Sequence, residues 1–297
     1  MNLFRPVRGI LGALSVALGF FSGAGAPTSA SADPAMWVVK DADSTVYLLG
    51  TIHILKPGVV WRSEKLDAAL KSADEYWMEA DIEADPAIAQ TYVLNFGMDS
   101  RHPLSGTLGE ANYAKLLDVA TRYQMPTDKL AHMRPWLVTL MLSQAQMTSV
   151  GYDPKLGVDR TLEHTAMADG KPIKAFETAS QQLGFLSDMP DRISAEMLVQ
   201  TLNELDKGIE VVDALEAAWL AGDVKRLQKI GPDLMRKDAP ELFDAMILRR
   251  NANWVKQIDS LLKGSGTQFI AVGAAHLLGR DSVPEQLKDL GYKVERY

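Results

Sequence analysis

Short apolar runs that stop at a glycine stand near both ends of this chain, and helical periodicity fills the long interval between them. Met36–Lys40, the turn Asp41-Ala42-Asp43-Ser44 and residues 45–49 read as a β-hairpin. Ser63 is placed to cap a helix over 64–73, with Leu66, Ala69 and Leu70 on one face. Residues 75–79 (Glu-Tyr-Trp-Met-Glu) read as a buried strand. Apolar residues then recur at helical spacing over 109–123, Pro135–Ser149 and Val158–Ala168, until Asp169-Gly170-Lys171-Pro172 stops the pattern. A short strand is expected over 173–176, with Glu177 opening another helical stretch. Longer helices are expected over 195–221 and 241–263, punctuated by Gly231-Pro232 and Ala239-Pro240. Gly264-Ser265-Gly266 leads into a strand over 268–272. Asp281 or Ser282 caps a last helix with Pro284 in its first turn, Gly291 ends it, and 292–296 closes as a strand. The expected fold is α/β: a mixed central sheet formed from both ends of the mature chain, with large helical insertions.

The first residues fall outside this pattern. Arg5 and Arg8 precede an apolar stretch over 10–21, short of the ~20 residues that span a membrane. Ala30-Ser31-Ala32 then offers the small-x-small pattern of a leader cleavage site. Residues 1–32 are therefore read as a signal peptide and 33–297 as one α/β domain, periplasmic or secreted. No later apolar run approaches membrane length. Losing the leader removes two arginines and no acid, so the net charge moves from −7 to −9. An acidic chain without a basic run argues against nucleic acid as a partner. There is no cysteine, which excludes disulfides, thiolate metal sites and thiol nucleophiles.

Candidate chemistry sits where the apolar runs stop. Gly50-Thr51-Ile52-His53 and Gly273-Ala274-Ala275-His276 repeat one pattern, a β-type run, a glycine expected to let the chain turn, and a histidine three residues on. Functional groups of open α/β sheets collect outside the carboxyl ends of the strands, so the two imidazoles are expected at one sheet edge. Glu79, ending the strand over 75–79, is the third group. Two imidazoles and a carboxylate can hold a divalent ion with open positions for water, or run acid–base hydrolysis without one. Glu177 and Gln181 lie at a strand-to-helix turn that faces the same edge. Arg250, with Asn251 beside it, is a candidate for orienting a carboxylate or stabilising an oxyanion. Asp159 follows Gly157-Val158 at a helix start. His102, His132 and His164 lack matching context and read as structural or surface groups. The chain has no Gly-x-Ser-x-Gly elbow, no His-Glu-x-x-His helix and no phosphate-cradling glycine loop.

Taken in order, these blocks resemble the TraB/GumN family, which is similar to the Tiki metalloproteases. The likeness rests on Gly50-Thr51-Ile52-His53, Met78-Glu79-Ala80-Asp81, Gly157-Val158-Asp159, Gly170-Lys171-Pro172-Ile173 with Glu177-Thr178 and Gln181, Arg250-Asn251 with Trp254, and 272–279. The resemblance implies one site built by the paired motifs. From the Tiki branch it implies peptide hydrolysis dependent on manganese or cobalt; zinc suits the same donors. On that basis His53, Glu79 and His276 are the expected metal or catalytic centre, with Arg250, Glu177 and Gln181 in support. The expectation is an exported metal-dependent hydrolase acting on a peptide or small molecule. The alternative is a non-catalytic protein that sequesters peptides in the same cleft.

Overall fold

The computed structural model describes residues 32–82 and 86–297; the expected leader, apart from Ala32, lies outside the described residues. Six strands form one sheet: β1 (Met36–Lys40), β2 (Ser44–Thr51), β3 (Glu75–Ala80), β4 (Ile173–Glu177), β5 (Gly266–Gly273) and β6 (Val294–Arg296). Their order is β4-β3-β5-β2-β1-β6. The β4, β3, β5 and β2 strands run parallel, while β1 pairs antiparallel with β2 and with β6. The first and last long strands of the chain are thus neighbours, as the expected mixed sheet requires. Their register pairs Gly50 with Val272 and Thr51 with Gly273. Ala80 pairs with Glu177. The carboxyl ends of all four parallel strands therefore meet at one edge.

Continuous apolar runs form β2 and β5 because helices cover both sheet faces. Phe269 and Ala271 join one core with Tyr47, Leu49, Tyr76 and the helix Glu64–Ser72. Ile270 and Val272 point to the other face, against Trp254, Val255 and Ile258 of the helix Arg249–Leu262. A third core, around Trp136, Leu142, Leu198 and Phe243, lies in the helical insertions. Burying each such side chain stabilises the fold by roughly 1.5–3 kcal/mol. Trp219, fully buried at the end of the helix Asp191–Leu220, donates its indole N–H to the Gly50 carbonyl at 2.7 Å. The insertion is thereby tied to the first motif.

Three differences from the expected elements bear on the site and its surroundings, beside short helices at Leu104–Leu108, Thr127–Leu130, Val224–Ile230 and Pro232–Asp238 that the pattern also did not reveal. The helix expected over 195–221 begins four residues earlier, directly after Pro190. The helix expected over 241–263 contains a π-helical turn, Asp244–Leu248, between Pro240–Phe243 and Arg249–Leu262. Pro86–Phe96 is a helix the pattern did not reveal, because its apolar residues fall on every side and leave no 3.6-residue stripe. Among the described residues no helix is long and apolar enough to cross a membrane.

Candidate active site

His53 sits two residues past β2. The segment Gly157-Val158 is stitched against it: the Val158 N–H donates to the Ile52 carbonyl at 2.9 Å. A Cβ on Gly157 would lie 2.3 Å from the His53 carbonyl oxygen, so only glycine permits this approach. The docking sets Asp159, in the first turn of the helix Val158–Ala168, with Oδ1 3.1 Å from His53 Nδ1. Tyr76 fixes the same turn from β3 by donating its hydroxyl to the Asp159 carbonyl at 2.8 Å.

Glu79, the penultimate residue of β3, is buried and held from three sides. Gly273 donates its N–H to Oε1 at 2.7 Å. Arg250 and Gln182 donate to Oε2 at 2.5 and 3.0 Å. Arg250 also forks onto Glu177 at the end of β4, through Nε to Oε1 at 2.9 Å and Nη2 to Oε2 at 2.8 Å. Its Nη1 reaches the Met246 carbonyl at 3.3 Å, inside the π turn, and His276 Nε2 at 3.2 Å. All five guanidinium N–H groups are thus engaged. Trp254 completes the cluster with an indole N–H on Glu177 Oε1 at 2.8 Å.

His276 is locked in one tautomer. The Asn251 amide nitrogen donates to the carbonyls of His276 and Asp281, so its oxygen must be the acceptor 2.6 Å from His276 Nδ1. The ring proton therefore sits on Nδ1, and the Nε2 lone pair accepts from Arg250.

The three expected centres do converge. A Cβ built on Gly273 would lie 3.0 Å from Glu79 Oε1, 3.4 Å from His53 Nε2 and 3.7 Å from His276 Cδ2. His53 and Glu79 border a cleft of about 450 Å³, lined also by Asp159, Arg250, Leu140 and Leu183, while His276 lies behind Arg250 and does not line it.

This arrangement can be set beside known proteins. The model of the TraB/PrgY/gumN family matches residues 35–296, which is nearly all of the described chain. The chain belongs to the TraB/PrgY/gumN family. Among relatives, it is 22% identical over 255 residues to the uncharacterized protein YbaP of Escherichia coli (strain K12), covering 86% of this chain and 92% of that protein. The YbaP of Shigella flexneri matches equally. An uncharacterized protein of Treponema pallidum (strain Nichols) is 22% identical over 262 residues, 83% of this chain and 78% of its own length. Both Gly-x-x-His motifs lie inside the matched range.

The two histidines of the family motifs differ in charge. Burial disfavours the His53 cation, yet the Asp159 carboxylate beside it and the field of Glu79 outweigh that cost and raise its pKa from 6.5 to about 9. Burial also disfavours the His276 cation; Arg250 and His53 reinforce that effect against Glu79, so its pKa falls to about 3. Glu79 is buried too, but Arg250, both histidines and the Gly273 N–H hold it well below the usual carboxylate range. Burial pushes Glu177 up, with Arg250 opposing. Near neutral pH the site thus holds an imidazolium and a fixed carboxylate at the cleft, with a neutral imidazole buried beside them.

Several roles read from the sequence shift. Glu177 ends a strand rather than opening a helix; Thr178 caps the next helix, Ala179–Ser187, in a capping box with Gln181. Gln181 is consequently exposed, and its neighbour Gln182 is the residue on Glu79. Nothing in the local pattern distinguished these two glutamines; one residue of helical rotation did. Arg250 has no N–H left for an oxyanion, so it positions Glu79, Glu177 and His276. Gly50 and Gly273 serve close approach rather than a sharp turn: a Cβ on Gly50 would lie 3.0 Å from Ala274 Cα. A divalent ion does not fit these side chains as they stand. Both Glu79 oxygens accept N–H donors, the His276 lone pair faces Arg250, and the guanidinium bridges the two groups an ion would need. Among the described residues no three His, Cys, Asp or Glu side chains are arranged to hold a metal.

Proposed function

We propose that this chain is a hydrolase in which His53 activates water against an ester or peptide carbonyl bound in the cleft. The observation that carries the reading is His53 itself, with Nδ1 3.1 Å from Asp159 and with Nε2 and the Glu79 carboxylate both facing Gly273 at a lined cleft. The Asp159 carboxylate, an ion-pair partner 3.1 Å from Nδ1, favours the proton on that nitrogen and so leaves the Nε2 lone pair of the neutral ring for water. The neutral ring is the major form only above pH about 9, so turnover should rise with pH through that value. As Nε2 takes the water proton, the fixed charges of Asp159 and Glu79 stabilise the imidazolium that forms. The proton then passes from Nε2 to the leaving group. Arg250, Glu177, Trp254 and Gln182 keep Glu79 in place without moving during the reaction.

The exported location read from the leader belongs to the same proposal; mass determination of the chain purified from its host would show a start at Asp33. Metal dependence of the kind implied by the Tiki likeness would require Arg250 to release Glu79 and His276 first. The functional test is a screen of p-nitrophenyl esters and quenched fluorescent peptides with native, His53→Gln and Asp159→Asn proteins, with and without EDTA. Turnover lost in His53→Gln and retained in EDTA is the expected result. Turnover lost in EDTA restores the metal reading. Peptide binding without turnover in any variant replaces hydrolysis with sequestration.

A further inference from the structure

The active-site cleft joins two surfaces of different chemistry. His53, Glu79 and Asp159 line it from the sheet edge and from the start of the helix Val158–Ala168. Leu140, Leu183, Leu186 and Met246 line it from the helical insertions, on the helices Pro135–Ser149 and Ala179–Ser187 and on the π turn.

The apolar surface is more than the back of a core. Leu186 and Met246 are buried members of the core in the insertions, and Leu140 packs against that core while remaining half-buried. Leu183 is also half-buried, and among the described residues it joins none of the three cores. One turn beyond Leu140, Gln144 lines the cleft and is exposed, so the polar rim begins there. Leu140 and Leu183 thus present apolar surface to the cleft, and covering it with an aliphatic group is favourable.

We propose that the helical insertions form an acyl subsite, in which Leu140 and Leu183 select substrates with an uncharged aliphatic group on the acyl side of the scissile bond. The direction of the substrate rests on the hydrolytic reading of His53. That residue returns its proton to the leaving group, so the leaving atom lies on the polar side and the acyl portion extends toward the leucines. The sheet edge supplies the chemistry and the insertions supply the selectivity. A charged acyl group would lose its hydration against side chains that return no hydrogen bond.

Two series on the full folded chain test the subsite. In the first, acetamide, butyramide, hexanamide and adipamate, which is hexanamide ending in a carboxylate, are titrated while the His53 ring resonance is followed by NMR. Affinity should rise roughly fourfold per added methylene, and adipamate should bind more weakly than hexanamide. In the second, kcat/KM for p-nitrophenyl acetate, butyrate and hexanoate, each divided by its uncatalysed rate, should rise in the same order. Leu183→Ser and Leu140→Ser, on separate helices, should each lower the hexanoate value more than the acetate value; if one does not fold, the other decides. Amides that bind in this order without turnover of any ester leave the apolar subsite standing and remove the hydrolase reading. Esters turned over without a chain-length preference do the reverse. A preference that survives both substitutions, equal binding of adipamate and hexanamide, or no response of His53 to any amide overturns the proposal.

Discussion

His53 and His276 each follow a parallel strand and a glycine, and the strands lie side by side in register. Yet one ring is partly exposed and charged near neutral pH, and the other is buried and neutral. The motif sets only where the backbone delivers the imidazole. The partners that arrive from elsewhere set what it can do. Asp159, from the central helices, supplies His53 with a carboxylate; Asn251 and Arg250, from the late helix, supply His276 with an amide and a guanidinium. A carboxylate against one ring and a cation against the other is enough to drive the two pKa values apart.

The change that should break this contrast most severely is Arg250→Ala. It leaves Glu79 and Glu177 buried without their cation and should cost roughly 3–5 kcal/mol in urea unfolding. Arg250→Lys should recover little of that, because one ammonium cannot serve both carboxylates, Met246 and His276 together. A rescue by lysine would mean that charge alone, not the five-donor fork, holds the site. Next come the two histidines in matched substitutions. His276→Gln should lower stability by roughly 2–3 kcal/mol, since Asn251 and Arg250 lose a buried partner. His53→Gln should change the melting temperature less and abolish turnover. The reverse order in a melting comparison would mean that the roles are exchanged.

The glycines sharpen the contrast at the level of packing. Gly157→Ala places a methyl against the His53 carbonyl and should displace His53 from Asp159, visible as a lowered His53 pKa by NMR. Gly273→Ala places it 3.0 Å from Glu79 Oε1 and should reduce turnover at a cost of roughly 1–3 kcal/mol. An alanine at either position that leaves both the pKa and turnover unchanged would show that the glycines do not hold the site.

Much of the architecture was legible in the sequence. Apolar runs and turn residues marked β1, β2, β3, β4 and β5, and the repeated motif pointed to one sheet edge. The local reason for the glycines was not legible, because Ala274, Glu79 and the His53 carbonyl approach them from other parts of the chain. The same limit hid the roles of Gln181 and Gln182. Adjacent glutamines look alike until the capping box at Thr178 fixes which one turns toward Glu79. Arg250 stood out as a candidate, but its four partner residues come from four separate segments and no spacing rule unites them. The helix Pro86–Phe96 escaped because it carries no stripe to detect.

The remaining effects concern pH and the cap. The raised pKa of His53 stabilises the fold fully below 6.5, and that contribution, up to roughly 3 kcal/mol, is lost as pH rises through about 9. The lowered pKa of His276 works at the other end. The unfolded ring takes a proton below 6.5 while the folded ring stays neutral to about 3, so stability falls across that window on acidification. Urea unfolding from pH 4 to 10 should show both slopes, with Asp159→Asn flattening only the alkaline one. Gln181→Ala should cost no more than about 1 kcal/mol through the cap and leave turnover unchanged, whereas Gln182→Ala should reduce turnover.

The most direct measurement is the NMR titration of both imidazoles in one sample of the folded protein. His53 should titrate near 9, and His276 should remain a neutral Nδ1–H ring down to the acid limit of the fold. Two rings titrating together near 6.5, or His276 charging before His53, would contradict the division of roles between the two motifs.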